Sequence, residues 1–282
     1  MKIVEILNIL AYCNIIISLG PAALTILTIL VLKLPFNFLA PLLAFLISFF
    51  VYSFNRLTDI REDIINNPDR TLFFKKKMYI FVIAAFISLF LCLALALLHS
   101  LLTFIILLLP AILVILYSFE WMRFASKKRL KELLLIKNIT VSLGWSLIPF
   151  FVMAFYNYFH WGIIFLSCFI FLRIFIGVLM FDIRDIEGDK KHNITTIPIK
   201  YGLKFSKRII EFLNIISFLI LLIGCIYLFW APLIISAFVG LFFGFIYQHY
   251  IQKIDMRFLC NVIVDSEYIF LGLIPLLLWF KL

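Results

Sequence analysis

Apolar runs of membrane-spanning length alternate along the whole chain with short, densely charged stretches. Residues 6–32 and 34–54 are the first two runs, separated by Lys33. Residues 78–119 carry no formal charge and are long enough for two spans, with His99-Ser100 as the turn. Residues 138–172 hold one span and begin another; the polar, aromatic stretch YNYFHWG at 156–162 divides them, and the second ends near Asp182. Residues 212–252 hold two more, broken at Trp230-Ala231-Pro232, and residues 258–280 form the last, apolar except for Asp265 and Glu267. About 20 apolar residues cross the hydrocarbon core as a helix. The pattern predicts an all-α, polytopic integral membrane protein, a bundle of nine transmembrane helices in one domain over residues 1–282. Gly20-Pro21 predicts a kink in the first helix, whose apolar stretch is too long for a signal peptide and ends in no convincing cleavage site.

Composition agrees with this reading. The chain is 65% apolar and 14% charged, against roughly half and a quarter in soluble domains, and no charged segment is long enough to fold alone. With nine helices, the loops after helices 2, 4, 6 and 8 hold nearly all the Lys and Arg, while the opposite side has only Lys33 and Lys281. Basic residues are retained on the cytoplasmic side, so the N-terminus and these loops are expected in the cytoplasm and the C-terminus across the membrane. The net charge of +10 is then a topology signal for a protein of the lipid bilayer and does not imply a nucleic-acid partner. No obligate protein partner is predicted. The five cysteines (Cys13, Cys92, Cys168, Cys225, Cys260) lie in or at the edges of apolar spans with no C-x-x-C pair, as free thiols that pack like small apolar side chains do.

The acids carry the candidate chemistry. Eight of fifteen sit in two stretches, Asp59, Glu62, Asp63 and Asp69, then Asp182, Asp185, Glu187 and Asp189, each behind a long apolar helix on the cytoplasmic side. At about 100° per residue, Asn55, Asp59 and Asp63 share a helix face within about 80°, and Asp182, Asp185 and Asp189 share one within about 60°. Gly188 predicts fraying of the second helix near its end. Like charges stacked beside a bilayer repel and need a cation. Neighbouring Arg and Lys in a solvated loop are one compensator. The other is a hard divalent ion: oxygen donors without His or Cys suit Mg²⁺, which keeps waters and bridges to phosphate oxygens. Two such stripes across a cavity would hold a diphosphate between metal ions.

The two stripes, NRLTDIRED at 55–63 and DIRDIEGD at 182–189, resemble the two aspartate-rich motifs of the UbiA superfamily of intramembrane prenyltransferases. NPDR at 67–70, LYS at 116–118, KNITVSLGWSLIP at 137–149 and TTIPIKYG at 195–202 extend the resemblance over nearly the whole chain. The resemblance implies a central cavity open to the cytoplasmic side and Mg²⁺, two ions, held by Asn55, Asp59, Asp63, Asp185 and Asp189 with help from Asp182. It implies transfer of an isoprenyl group from a polyprenyl diphosphate to a hydrophobic or amphiphilic acceptor, an aromatic quinone precursor or a lipid such as a prenylated glyceryl phosphate. Arg70 and Lys190, then Lys137, are the expected diphosphate contacts, and Tyr117, Asn138 and Arg173 are candidate pocket residues. The chain departs from the family's Y-x-x-x-K pattern after helix 4, because Tyr117 is followed at that spacing by Trp121, with Arg123, Lys128 or Arg129 as substitutes after a loop shift.

Arg173 lies about 14 Å deeper along its helix than Asp182, where a charge needs a partner. Asp265 and Glu267 are the candidates, and structural pairing is preferred to acceptor binding. Asn14 reads as a helix–helix hydrogen bond. Two other classes compete. A transporter would place its acids near the midplane on discontinuous helices, unlike these cytoplasmic ends. A different diphosphate-dependent lipid transferase, of the CDP-alcohol type, would carry D-G-x-x-A-R, which this sequence lacks.

Overall fold

The structure is a computed structural model that describes residues 2–118, 134–192, 194–228 and 233–279. All regular structure among the described residues is helical: α1 (Lys2–Tyr12), α2 (Ile15–Val31), α3 (Leu39–Thr58), α4 (Ile60–Asn66), α5 (Pro68–Lys76), α6 (Met78–His99), α7 (Leu101–Ser118), α8 (Ile136–Ser146), α9 (Ile148–Tyr156), α10 (Ile163–Arg184), α11 (Ile186–Lys191), α12 (Ile197–Leu228), α13 (Leu233–Tyr250), α14 (Met256–Phe258), a π-helical turn (Leu259–Val264) and α15 (Asp265–Trp279). Among the described residues, seven helices are long and apolar enough to cross a membrane. An eighth is the bent pair formed by α1 and α2, and Leu101–Leu116 is a shorter apolar helix. The chain is an integral membrane protein.

The expected kink at Gly20-Pro21 is displaced. Helix α2 runs through Pro21, and the bend of 78° falls between α1 and α2, where Asn14 adopts a left-handed φ of 62°. Asparagine tolerates that conformation better than the β-branched residues that follow it. The Asn14 side chain donates to Ser53 Oγ at 3.0 Å, the helix–helix hydrogen bond expected from the sequence. Arg56 closes the same corner by donating to the last carbonyls of α1, those of Ala11 at 3.0 Å and Tyr12.

Helix α2 packs between α3 and α15, and α10 packs against α8 and α12. The approach of α2 and α15 is close because Gly272 lies against Ala23, where a Cβ would meet the Ala23 carbonyl oxygen at 2.2 Å. Small residues let helix backbones meet where no water drives association. The turn at His99-Ser100 lies between α6 and α7 as the pattern predicts. The predicted break at Trp230-Ala231-Pro232 lies outside the described residues.

Candidate active site

Each acidic segment changes direction on an aspartate. Helix α3 ends at Thr58 and α4 begins at Ile60, with Asp59 between them at φ −108°, ψ 12°. Helix α10 ends at Arg184 and α11 begins at Ile186, with Asp185 between them at φ −92°, ψ 7°. Both occupy the bridge region of backbone space. Hydrogen bonding with the helical spacing continues through both corners, from Asp59 N to Asn55 O (3.1 Å), Asp63 N to Asp59 O (2.9 Å), Asp185 N to Phe181 O (2.9 Å) and Asp189 N to Asp185 O (2.9 Å). The straight stripes expected from helix periodicity are thus bent at their middle acids.

The two segments touch through α4 and α11. The backbone N–H of Gly188 donates to Asn66 Oδ1 at 3.0 Å, and a Cβ on residue 188 would come within 2.0 Å of that oxygen. The expectation that Gly188 frays the helix is corrected: α11 continues to Lys191, and the glycine gives the other segment room to dock. Arg257 Nε donates to the Asn66 carbonyl at 3.2 Å and ties the start of the last span to this joint.

Basic side chains neutralise the acids in pairs. Arg70 meets Asp63 at 2.9 Å. Arg184 grips Asp185 with two parallel bonds, Nε to Oδ1 at 2.7 Å and Nη2 to Oδ2 at 2.8 Å. Asn261 Oδ1, on the π-helical turn, accepts from Arg184 Nη1 at 2.9 Å and, more weakly, from Arg70 Nη1 at 3.4 Å, so one carboxamide spans the arginines of both segments. Asp182 is fully buried, and its oxygens are taken by Lys137 Nζ and Asn138 Nδ2, each at 2.8 Å. Asp189 Oδ2 is buried without a hydrogen-bond partner. Burial, opposed by Lys137 and reinforced by Asp185 and Asp182, pushes the Asp189 carboxyl up to about 7. Asp63 goes the other way: burial raises it, but Arg70, Arg184 and Arg56 together hold it below the usual carboxylate value.

A cavity of about 310 Å³ opens between the segments. Its wall includes Asn55, Asp59, Asp63, Asp185, Asp189, Arg70 and Lys137, so seven predicted site residues converge. Beyond this polar end the lining turns apolar, with Ile47, Val51, Leu107, Val114 and Ile148 among its residues, and the aromatic trio Tyr52, Trp145 and Tyr268 also faces it. Trp145 Nε1 donates to the Tyr52 hydroxyl at 2.7 Å, and the Trp145 and Tyr268 rings lie 4.7 Å apart.

Four predicted residues sit elsewhere. Asp182 and Asn138 lie off the wall: Asn138 donates to Asp182, whose other oxygen holds Lys137. Lys190 is exposed and off the wall, since it follows the inward-facing Asp189 by one helical step. Arg173 is not a pocket residue: fully buried, it pairs with Glu267 at 2.6 Å and bonds Asn214, while Tyr247 donates to the same glutamate. The Tyr117 side chain, Trp121, Arg123, Lys128 and Arg129 lie outside the described residues. Sequence reasoning missed Arg184 and Asn261 as ties between the segments, and Arg56 and Asp265 as wall residues. Their signals were an arginine inside each motif and polar residues interrupting the last apolar run.

Among the described residues, no three His, Cys, Asp or Glu side chains form a ready-made metal cage. The donors are all oxygens, one of them buried and unpartnered on Asp189. That set fits Mg²⁺, which takes one or two carboxylates and completes its shell with water and substrate phosphate.

Known proteins share this architecture. A structure of a UbiA homologue from Archaeoglobus fulgidus bound to GPP and Mg²⁺ superposes with a TM-score of 0.66 at 15% identity, over 98% of this chain and 99% of that one. A structure of a UbiA homologue from the same organism bound to DMAPP and Mg²⁺ gives 0.64 at 15% identity over the same shares. A digeranylgeranylglyceryl phosphate synthase gives 0.58 at 18% identity, over 95% of this chain and 99% of that one. No curated protein matches the chain in sequence. The sequence profile of the UbiA prenyltransferase family matches residues 15–259. With most of its length spanned by that profile, the chain belongs to the UbiA prenyltransferase family.

Proposed function

We propose that this prenyltransferase moves an isoprenyl group from a polyprenyl diphosphate to a membrane-associated acceptor in a Mg²⁺-dependent reaction that releases diphosphate. The observation that carries the reading is the division of one cavity into a charged end and an apolar body, which matches a diphosphate joined to a hydrocarbon tail. Asn55, Asp59 and Asp63 on one side, and Asp185 and Asp189 on the other, hold two Mg²⁺ ions. The bound ions supply positive charge that makes diphosphate a competent leaving group. Arg70, Arg184 and Lys137, held by their carboxylate partners on the cavity wall, add fixed positive charge beside the diphosphate oxygens where negative charge develops. Asp182 and Asn138 keep Lys137 in place. The apolar wall receives the tail, and the faces of Tyr52, Trp145 and Tyr268 favour the allylic cation as C1 parts from oxygen. The Lys and Arg asymmetry supports nine spans, with the N-terminus and the charged end of the cavity cytoplasmic and the C-terminus opposite. The solved homologues bound to DMAPP or GPP with Mg²⁺ support the donor class and the metal.

Purified protein in lipid nanodiscs is incubated with labelled geranylgeranyl diphosphate and a panel of phenolic, naphthoic and glyceryl phosphate acceptors. Labelled product and diphosphate are expected with Mg²⁺, neither in excess chelator, and poor recovery with Ca²⁺, whose looser, higher coordination suits the site less. Full turnover in chelator would exclude the metal role, and no product with any acceptor would sink the transfer reading.

A further inference from the structure

Two acids stand two residues apart on α15, and the structure treats them oppositely. Glu267 is fully buried and satisfied by Arg173 and Tyr247, away from the cavity. Asp265 is 8% exposed, lines the cavity and has an Oδ1 with no hydrogen-bond partner; no ion pair reaches its carboxylate among the described residues. Two helical steps turn a side chain by about 200°, which explains the opposite directions. An ionisable group inside a membrane bundle is costly and is ordinarily paired or functional. Glu267 meets the first description, and Asp265 is left with the second.

Its position is specific. Arg184, Arg70 and Arg56 at the charged end lie within electrostatic reach of Asp265. On the other side Tyr268, three residues on and therefore on the same helix face, also lines the cavity and packs on Trp145. Asp265 thus joins the cationic end of the cavity to its aromatic wall, where C1 of a prenyl diphosphate with its diphosphate among those cations would lie. The arginines have other partners: Arg70 has Asp63, Arg184 has Asp185, and Arg56 donates to two backbone carbonyls.

Resting on the prenyl-transfer reading, we infer that Asp265 is the acceptor-side catalytic carboxylate and that the acceptor is a hydroxyl-bearing nucleophile. Asp265 accepts a hydrogen bond from the acceptor hydroxyl and orients it toward C1. As the nucleophilic atom bonds to C1, the C1–O bond breaks with its electron pair leaving on the diphosphate. The acceptor's proton passes to the Asp265 carboxylate and is then lost through the polar end of the cavity.

Asp265→Asn and Asp265→Glu are compared with wild-type protein in nanodiscs, with thermal unfolding as the check on folding. Geranyl thiodiphosphate, an unreactive donor analogue, reports Mg²⁺-dependent donor binding. Single-turnover transfer to the acceptor chosen from the panel reports chemistry. Asp265→Asn is expected to bind the analogue within about twofold of wild type and to lose transfer by about 10²-fold or more, in the range of general-base removal. Asp265→Glu keeps the charge but misplaces the oxygens, and is expected to fall by about tenfold. Wild-type transfer by Asp265→Glu would reduce the residue to a counter-charge for the arginines and overturn the inference even if Asp265→Asn fails to fold. Wild-type transfer by Asp265→Asn would overturn it directly. A tenfold or greater loss of analogue binding in Asp265→Asn would move the residue to the donor and metal site, also overturning it. Failure of the wild-type protein itself to bind the analogue or to transfer would instead remove the prenyl-transfer reading beneath.

Discussion

The two acidic segments are built alike and balanced differently. Each bends on an aspartate with ψ near zero, and each presents acids to the same cavity. The first is the wetter: Asp63 keeps an 18% exposed side chain and is held by a single contact from Arg70 on the next helix. The second is dry. Asp182, Asp185 and Asp189 are exposed by 0%, 6% and 5%, and Asp185 is gripped in both oxygens by its own neighbour Arg184. A buried pair resists separation because each partner would be left as an isolated charge in low dielectric. The second segment is therefore a fixed electrostatic wall, and the first is the side on which ions and partners exchange more easily.

That asymmetry has a large consequence. Asp59→Ala and Asp185→Ala are each expected to reduce diphosphate release by 10²-fold or more, about 2.7 kcal/mol in the barrier, because both segments serve one site. Their stabilities should diverge. Asp185→Ala strands the Arg184 guanidinium, whose side chain is 5% exposed, and should cost about 3–5 kcal/mol. Asp59→Ala sits on the wetter wall and should stay within about 1 kcal/mol. Turnover and thermal unfolding measured together in detergent test this. Equal stability losses would erase the distinction between the walls.

The same physics without the chemistry operates at Arg173. Its pair with Glu267 lies in the bundle and off the cavity, so Arg173→Ala should lose about 3–5 kcal/mol of stability with turnover per folded molecule unchanged. Glu267→Gln in the same chain should restore part of the loss, as a double-mutant cycle would measure. A coupling near zero would remove the pair as the reason Arg173 is tolerated. A selective loss of acceptor affinity in folded Arg173→Ala would return the residue to the substrate.

Much of this was legible in the chain. The spans follow from charge-free runs, because hydrocarbon tolerates little else, and the acids at helix ends announce themselves by spacing. Arg173 required a partner by depth alone, and one of the two acids named for it is the one found. What did not read out was which way residues face once a helix bends. A periodic stripe assumes a straight axis, and the corners at Asp59 and Asp185 break that assumption. It put Asp182 with the other acids, whereas the fold turns it toward Lys137 and Asn138. Asn261 and the aromatic trio come together from helices distant in sequence, so no local pattern signals them. The glycine at 188 reads locally as a weakness, and only the neighbouring segment shows its use.

That joint between the walls gives a smaller effect. Gly188→Ala places a Cβ 2.0 Å from Asn66 Oδ1, and overpacking of this kind costs about 1–3 kcal/mol. Turnover should drop by about tenfold, because separating α4 from α11 moves one set of acids relative to the other. Adding Asn66→Ala removes the obstruction and should recover stability, though not the hydrogen bond to the Gly188 N–H. If Gly188→Ala retains full stability, the two segments do not dock through this contact.

The smallest effect is expected at Lys190, a residue that the family resemblance nominates for the diphosphate. Helix α11 turns Asp189 inward at 5% exposure, and the next residue is rotated by about 100° and exposed. An exposed ammonium is screened by water and salt over about 8–10 Å. Arg70 and Lys137, by contrast, stand on the cavity wall. Lys190→Ala should change the donor KM by less than twofold, whereas Lys137→Ala removes a wall cation and should raise it by about tenfold. The contrast is read from donor titrations at fixed Mg²⁺, with ionic strength varied in parallel. A KM increase in Lys190→Ala equal to that in Lys137→Ala, and fading with salt in the same way, would mean that α11 rotates when the donor binds. The dry wall would then be the moving one, and the assignment of rigidity between the two segments would have to be reversed.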